Sequence, residues 1–277
     1  MGVAILCPIC GAALTEEAAR WSCAAGHSFD RARQGYANLY RPGRRRTRFE
    51  GDSDAMVRAR RAFLDSGAYR PLAAALAAQA APVLAGKQRP VVVDAGCGEG
   101  YYTQYIVRQA SPEPVDLVAF DRSRTAVRLA AGRLSDARLF VADIWQPWLL
   151  PDASVDLILN IFAPRHPQEM ARVLRPGGTL LTAIPTPQHL AALRRQAHLL
   201  DVEPEKQARL CAALAAVALR LQEESSLTAD ISLSGQQVTH LLAMLPGGEQ
   251  QERPLPPPRP QSIHVAVALL RFSKSHA

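Results

Sequence analysis

Four residues near the start of the chain have the types and spacing of a metal site. Cys7-Pro-Ile-Cys10 is followed after twelve residues by Cys23-Ala-Ala-Gly-His27. Each pair sets two ligands on a tight knuckle, and two knuckles complete a tetrahedron around Zn2+. Gly11 and Gly26 supply the turns. Three thiolates and one imidazole leave no open coordination position, so the expected ion is structural, one per chain. Its binding would supply folding energy that so short a segment cannot gain from burial.

A second constellation lies in Val91-Val-Val-Asp-Ala-Gly-Cys-Gly-Glu-Gly100. Three β-branched residues predict a short buried strand, Asp94 ends it, and Gly96, Gly98 and Gly100 carry the chain round a turn into a helix. A dinucleotide-binding turn reads G-x-G-x-x-G and seats a pyrophosphate on the helix N-terminus. Here the third glycine comes one residue early, Tyr101 takes its place, and Asp94 and Glu99 bring carboxylates beside the loop. That environment suits a cation carrying an α-amino group and a sulfonium. It is the D-x-G-x-G-x-G pattern of S-adenosylmethionine (SAM) methyltransferases.

The elements that must position these groups alternate strand and helix, as a doubly wound sheet requires. Residues 115–120 predict a second strand ending at Asp121, placed to hold two ribose hydroxyls. Residues 138–142 predict a third, followed by Asp143-Ile144, where such enzymes bond an adenine amino group and sandwich its ring. Residues 155–161 predict a fourth, leading into Phe162-Ala-Pro-Arg165. A helix over 169–174, an Arg-Pro-Gly-Gly turn at 175–178 and a strand over 179–184 follow. A helix over 205–217, strands near 218–224 and 228–233, a helix over 235–245, a proline-rich segment 246–260 and a last strand over 263–272 complete the reading. The expected fold is α/β, a Rossmann-like, seven-stranded class I methyltransferase domain with a small N-terminal zinc-binding domain. Three parts are expected: residues 1–50 as a zinc-binding, RNA-recognition domain, 51–88 as a helical connector (helices from about 54 to Gly67 and over 71–84), and 89–277 as the methyltransferase domain.

Charge is distributed unevenly. The formal net charge is +7, and lysine occurs only at 87, 206 and 274. Arg31, Arg33, Arg41, Arg44, Arg45, Arg46 and Arg48 place seven arginines within eighteen residues, interleaved with Tyr36 and Tyr40. Codon bias raises arginine everywhere but does not cluster it. Arginine with aromatics suits phosphate contact and base stacking on looped RNA, while Pro42 and Gly43 equally fit a solvated linker. The alanine-rich stretch 72–85 is broken by Gln79 and Pro82 and is too short to cross a bilayer. Five cysteines and no visible signal peptide imply no membrane and a reduced, cytoplasmic location.

Taken together, C-P-I-C at 7–10, C-A-A-G-H-S-F-D at 23–30, Q-G-Y-A-N-L at 34–39 and the segment 51–72 are more specific than a methyltransferase loop alone. With D-A-G-C-G-E-G-Y-Y-T at 94–103 and P-T-P-Q-H-L at 185–190, the chain resembles the ribosomal RNA large-subunit methyltransferase A (RlmA) family, guanine-N1 methyltransferases of 23S rRNA. The resemblance covers most of residues 1–200. It implies Cys7, Cys10, Cys23 and His27 as zinc ligands, with Tyr69, Tyr102, Thr103 and His189 against SAM. Asp94, Gly96, Gly98, Asp121, Asp143 and Ile144 join them on general methyltransferase logic. It also implies a homodimer and a target guanine in a hairpin loop near the peptide exit tunnel. Residues 160–165 look like the macrolide-resistance branch and the 97–103 loop like the enterobacterial one. These branches methylate neighbouring guanines, so both targets stay open. The region after Met244 has a proline run where the family carries an aromatic element.

Guanine N1 bears a proton at neutral pH, so its lone pair must be freed before attack on a methyl group. Asn160, Phe162 and Pro164 follow the fourth strand, where the target base rests in such enzymes, and are the candidates for holding it. The proton acceptor is not legible. Two other readings use the same features: a SAM enzyme acting on another RNA or a small molecule, and a non-catalytic zinc-containing RNA-binding protein.

Overall fold

The computed structural model describes residues 2–42, 51–111, 113–245 and 259–275. Arg44, Arg45, Arg46 and Arg48 and most of the proline-rich segment lie outside these residues.

The chain opens with a small antiparallel sheet of β1 (Leu14–Glu16), β2 (Arg20–Cys23) and β3 (Ser28–Asp30), then a two-residue strand β4 (Ala37–Asn38). Two helices follow. In α1 (Asp54–Asp65) the Ser53 hydroxyl accepts the Met56 N–H at 3.1 Å, satisfying one of the free donors of the first turn. Next, α2 (Arg70–Leu84) has Pro71 in its first turn, where a missing N–H costs nothing. The α/β portion then runs β5 (Val91–Ala95), α3 (Tyr101–Ala110), β6 (Asp116–Asp121), α4 (Arg124–Ala131), β7 (Arg138–Val141), β8 (Val155–Ile161), α5 (Pro167–Val173) and β9 (Leu174–Pro185). After α6 (Ala191–Gln196) and α7 (Lys206–Ala215) come β10 (Leu219–Leu233), α8 (Gly235–Met244) and β11 (Gln261–Lys274).

The main sheet has the order β10-β11-β9-β8-β5-β6-β7-β4. From β9 through β4 all pairings are parallel, and β11 lies antiparallel between β9 and β10. Central strands buried on both faces read as continuous apolar runs, as β5 and β8 do. Their side chains alternate between two cores: Val92 joins one, Val91 and Val93 the other. The first core takes α1, α2, α3 and α8. The second takes α5, α7 and the small N-terminal sheet, whose Trp21 packs edge-to-face on Phe140 at 6.3 Å.

Three expectations are corrected. The sheet has eight strands rather than seven, because β4 pairs in parallel with the end of β7. The Arg-Pro-Gly-Gly segment is no separate turn but lies within β9, where the register with β8 jumps and Gly177 takes a φ of 73°. The two late strands are one continuous strand, β10. As an edge strand with one exposed face it tolerates the polar pair Ser225-Ser226 that reads as a break. Among the described residues no helix is long and apolar enough to cross a membrane.

Candidate active site and metal centre

Strand order reverses between β5 and β8, and at such a switch point the loops leaving neighbouring strands part to form a crevice. Here it is a cleft of about 320 Å3. The glycine loop forms its floor: Gly96 and Cys97 donate their N–H groups to Phe120 O at 2.9 and 3.1 Å. Gly96 has a φ of 83°, and a Cβ there would lie 2.5 Å from the Ala163 methyl, so glycine is required twice over. Asp121 at the tip of β6 accepts the Gly98 N–H at 3.0 Å and the Ser123 N–H at 2.8 Å. Burial raises its pKa despite these bonds.

Asp94 lies beneath the loop. The Thr103 hydroxyl donates to its Oδ2, while its Oδ1 is buried with no partner. Burial first, then the field of Asp121, raises its pKa to about 7. An orphaned carboxylate oxygen below a glycine loop is a site for a cation or donor that a ligand would bring. Along the rim, Asp143 accepts the Trp145 N–H at 3.0 Å and pairs with Arg122 Nη1 at 3.0 Å, and Ile144 is buried beside it. Asp52 and Arg60 form an ion pair that faces Gly98 from α1.

The opposite wall is aromatic. Tyr102 meets Phe162 edge-on at 6.2 Å, Phe162 stacks on His189 at 6.1 Å, and Tyr69 meets His189 at 6.4 Å. His189 Nδ1 accepts the Ala266 N–H at 3.3 Å, and burial, with Arg194 nearby, lowers its pKa to about 3. The imidazole is therefore neutral, with its proton on Nε2. Tyr69 is a buried and Tyr102 a half-buried phenol, both with pKa values raised by burial, and the Tyr69 hydroxyl has no partner among the described residues.

The structure thus gathers Tyr69, Asp94, Gly96, Gly98, Tyr102, Thr103, Asp121, Asp143, Ile144 and His189 around one cleft or its floor. Phe162 and Pro164 line it too. Asn160 does not: it is wholly buried, and its Nδ2 donates to Ala95 O at 3.0 Å and Pro164 O at 2.9 Å. Its amide ties the end of β5 to the loop after β8 and holds Phe162 in a left-handed conformation, φ 54°. It can serve a base only through that loop. Sequence reasoning missed Asp52, Arg60, Arg122, Arg165, Arg194 and Lys206, which come from five separated segments. Only the Asp52–Arg60 pair left a trace, in an acidic cap followed by a helical arginine.

At the other site, Cys7 Sγ and Cys23 Sγ lie 3.6 and 3.5 Å from His27 Nδ1, and Cys10 Sγ lies 3.7 Å from Cys23 Sγ. All four donor atoms fall within 4.8 Å of one another. Zn–S bonds of about 2.3 Å give a tetrahedral edge of about 3.7 Å, so the donor set fits zinc. Burial opposes ionisation of Cys23, yet hydrogen bonds from the His27 backbone and ring and the Ala25 backbone outweigh it, lowering its pKa to about 6.

The module is joined to the cleft. Leu6 N–H donates to Leu149 O at 2.9 Å, Arg138 bridges Val3 O and Asp116, and Arg122, the partner of Asp143, lies 5.3 Å from the Tyr40 ring. Of the arginines in the basic segment, Arg31 bonds Gly35 O and Arg41 bonds Pro8 O, each at 3.1 Å.

Comparison with known proteins identifies both parts of the chain. Residues 5–44 match the family described as "RlmA, N-terminal", a zinc ribbon, and residues 92–178 match "Methyltransferase domain". A Streptomyces fradiae protein, 23S rRNA (guanine(748)-N(1))-methyltransferase, is 42% identical over 209 residues, covering 76% of this chain and 73% of its own. A Micromonospora griseorubida relative carrying the general 23S rRNA guanine-N1 methyltransferase designation is 41% identical over 224 residues, 75% and 74% of the two chains. Among solved structures, YcgJ of Bacillus subtilis superposes with a TM-score of 0.51 at 15% identity, over 73% of this chain and 99% of its own. That likeness shows the fold, and with the methyltransferase-domain match it is a class I methyltransferase sheet, here with an added strand and a Cys3His zinc ribbon.

Proposed function

Because the chain belongs to the RlmA family of SAM-dependent 23S rRNA guanine-N1 methyltransferases, we propose that it methylates N1 of one guanine in a hairpin loop of 23S rRNA. The position is taken to be the guanine for which the Streptomyces fradiae relative is named. The resemblance of residues 160–165 to the macrolide-resistance branch supports that choice over the neighbouring guanine. The observation that carries the reading is the union, in one chain, of the Cys3His module with an acid-lined glycine cleft, beneath whose loop a buried Asp94 oxygen lacks a partner among the described residues.

In this assignment Asp94 and Gly96 face the methionine part of SAM and Asp121 takes its ribose. Asp143 and Ile144 hold adenine, Tyr69, Tyr102 and His189 close the methyl end, and Thr103 serves the cofactor through its hydroxyl bond to Asp94. SAM supplies an electrophilic methyl group, and Phe162 and Pro164 stack against the guanine, held in place by Asn160. The flipped base must lie against that wall, since methyl transfer depends on in-line approach. Residues 1–50 recognise the hairpin through Arg31, Arg33, Arg41, Arg44, Arg45, Arg46 and Arg48, residues 51–88 bridge to the cleft, and 89–277 perform transfer in the cytoplasm. We further infer a homodimer that forms the RNA cleft, which sedimentation of the purified protein checks.

The test uses purified protein, labelled SAM and a transcript of the hairpin. Nuclease digestion is expected to release labelled 1-methylguanosine. Label appearing only in another nucleoside, or none from protein shown to bind SAM, would overturn the proposal.

A further inference from the structure

The cleft is electrostatically divided. The carboxylates among its described lining residues are Asp52, Glu99, Asp121 and Asp143, all around the glycine loop. Each is already engaged: Asp52 with Arg60, Glu99 with Arg133 at 2.5 Å, Asp121 with two backbone N–H groups, and Asp143 with Arg122. The other end, where Phe162, Pro164 and Met244 line the wall, carries Arg165, Arg194 and Lys206.

Arg165 is the most constrained of these three cations. Its Nη2 reaches Thr182 Oγ1 at 3.4 Å, while its Nε is buried without a partner. No ion pair engages it among the described residues. Burial alone lowers its pKa to about 10. A half-buried guanidinium whose Nε is shut from water, with no counter-ion among the described residues, is costly, and the cost is relieved when an anion arrives. Arg194, whose Nε is likewise buried without a partner among the described residues, donates from Nη1 to Leu200 O at 2.6 Å, and Lys206 feels both arginines.

Among the described residues the same end offers no proton acceptor of the usual kind. His189 spends Nδ1 on a backbone N–H and carries its proton on Nε2; Tyr69 and Tyr102 are neutral phenols. Removing the N1 proton of guanine leaves negative charge shared between N1 and O6, an amidate. A site with no base among its described residues, but with a guanidinium that lacks a counter-ion there, favours that anion directly.

Resting on the proposed methylation of guanine N1, we propose that Arg165 is a catalytic residue that donates hydrogen bonds to guanine O6 and stabilises the N1-deprotonated base. The proton leaves N1 for water. The freed lone pair on N1 then forms the N–CH3 bond as the methyl–sulfur bond breaks. Its electron pair stays on sulfur, so the amidate and sulfonium charges cancel. Lys206 and Arg194, nearer solvent, hold the flanking phosphate.

The test compares wild-type protein with Arg165→Gln and Arg165→Lys on the hairpin transcript, measuring kcat and KM from pH 6 to 10 and RNA affinity at two salt concentrations. The expected result for Arg165→Gln is a fall in kcat at neutral pH of about 100-fold, the scale of losing one oxyanion donor. Its loss should shrink as pH rises and solvent deprotonates the guanine, with RNA affinity and its salt dependence near wild type. Arg165→Lys, which keeps the charge and guards against a folding artefact, should recover part of the rate. A weakened RNA affinity with a shallower salt slope and unchanged kcat would make Arg165 a phosphate contact and overturn the proposal. So would a pH profile that shifts in Lys206→Met but not in Arg165→Gln. Wild-type protein without activity on this RNA would instead refute the proposed function itself.

Discussion

Asp94 has one carboxylate oxygen satisfied by Thr103 and one left bare, and the physical consequence is a buried acid near neutrality. Its folded pKa, about 7, lies above the 3.8 of an exposed aspartate. The stability linked to this group is therefore fully present below pH 3.8 and is lost as pH rises through 7, so the free protein should be less stable at pH 8 than at pH 5. Asp121, Glu99 and Glu16 are shifted by burial in the same direction and reinforce that slope. A cationic amino group beside Asp94 favours its charged form, so SAM affinity should rise between pH 5.5 and 7.5. Calorimetric titration of the wild type and Asp94→Asn checks this: the variant should bind at least 10-fold more weakly, on the scale of one lost charged hydrogen bond, with a flatter pH dependence. Equal slopes would remove Asp94 from the cofactor's environment. Asp94, Asp121 and Asp143 were legible in the sequence because each lies within two residues of a strand end. Arg165 was not, since what sets it apart is the want of a counter-ion among the described residues, which no spacing reveals.

The loop after β8 and the loop after β5 are mutually dependent elements. Asn160 bonds both, Ala163 abuts Gly96, and Phe162 sits at positive φ. Such a residue costs about 1–3 kcal/mol and persists only where its surroundings impose it. Asn160→Ala should release that constraint and lower kcat by 10-fold or more, an order of magnitude set by misplacement rather than lost contact. SAM affinity should change little. Gly96→Ala should act the other way, abolishing SAM binding through the Ala163 clash and the strained φ; isothermal titration separates the two. Parallel strands β5 to β9 could be read because both-face burial makes them uniformly apolar. The two-residue β4 could not, since no periodicity exists over two residues, and its place beside β7 is set by tertiary packing.

Across the whole molecule, the metal module is built into the sheet. Trp21 packs on Phe140, β4 extends the sheet at β7, and Tyr40 stands beside the Arg122–Asp143 pair. The spacing of Cys7, Cys10, Cys23 and His27 disclosed the site, yet not that its loss would reach the cofactor. Stripping zinc with a strong chelator should lower the melting temperature, abolish RNA binding and weaken SAM binding several-fold; re-addition should restore all three. A chelated protein with unaltered SAM affinity would show the module to be an independent appendage.

The proposed reaction leaves a mark on the ribosome that can be read directly. Methylation at N1 blocks the Watson–Crick edge, so reverse transcriptase halts one nucleotide before the modified guanine. Primer extension across 23S rRNA from cells with and without this chain should show one added stop in the hairpin loop, lost again in cells carrying Asp94→Asn. Identical stop patterns in both cell types, with the protein present and folded, would contradict the account.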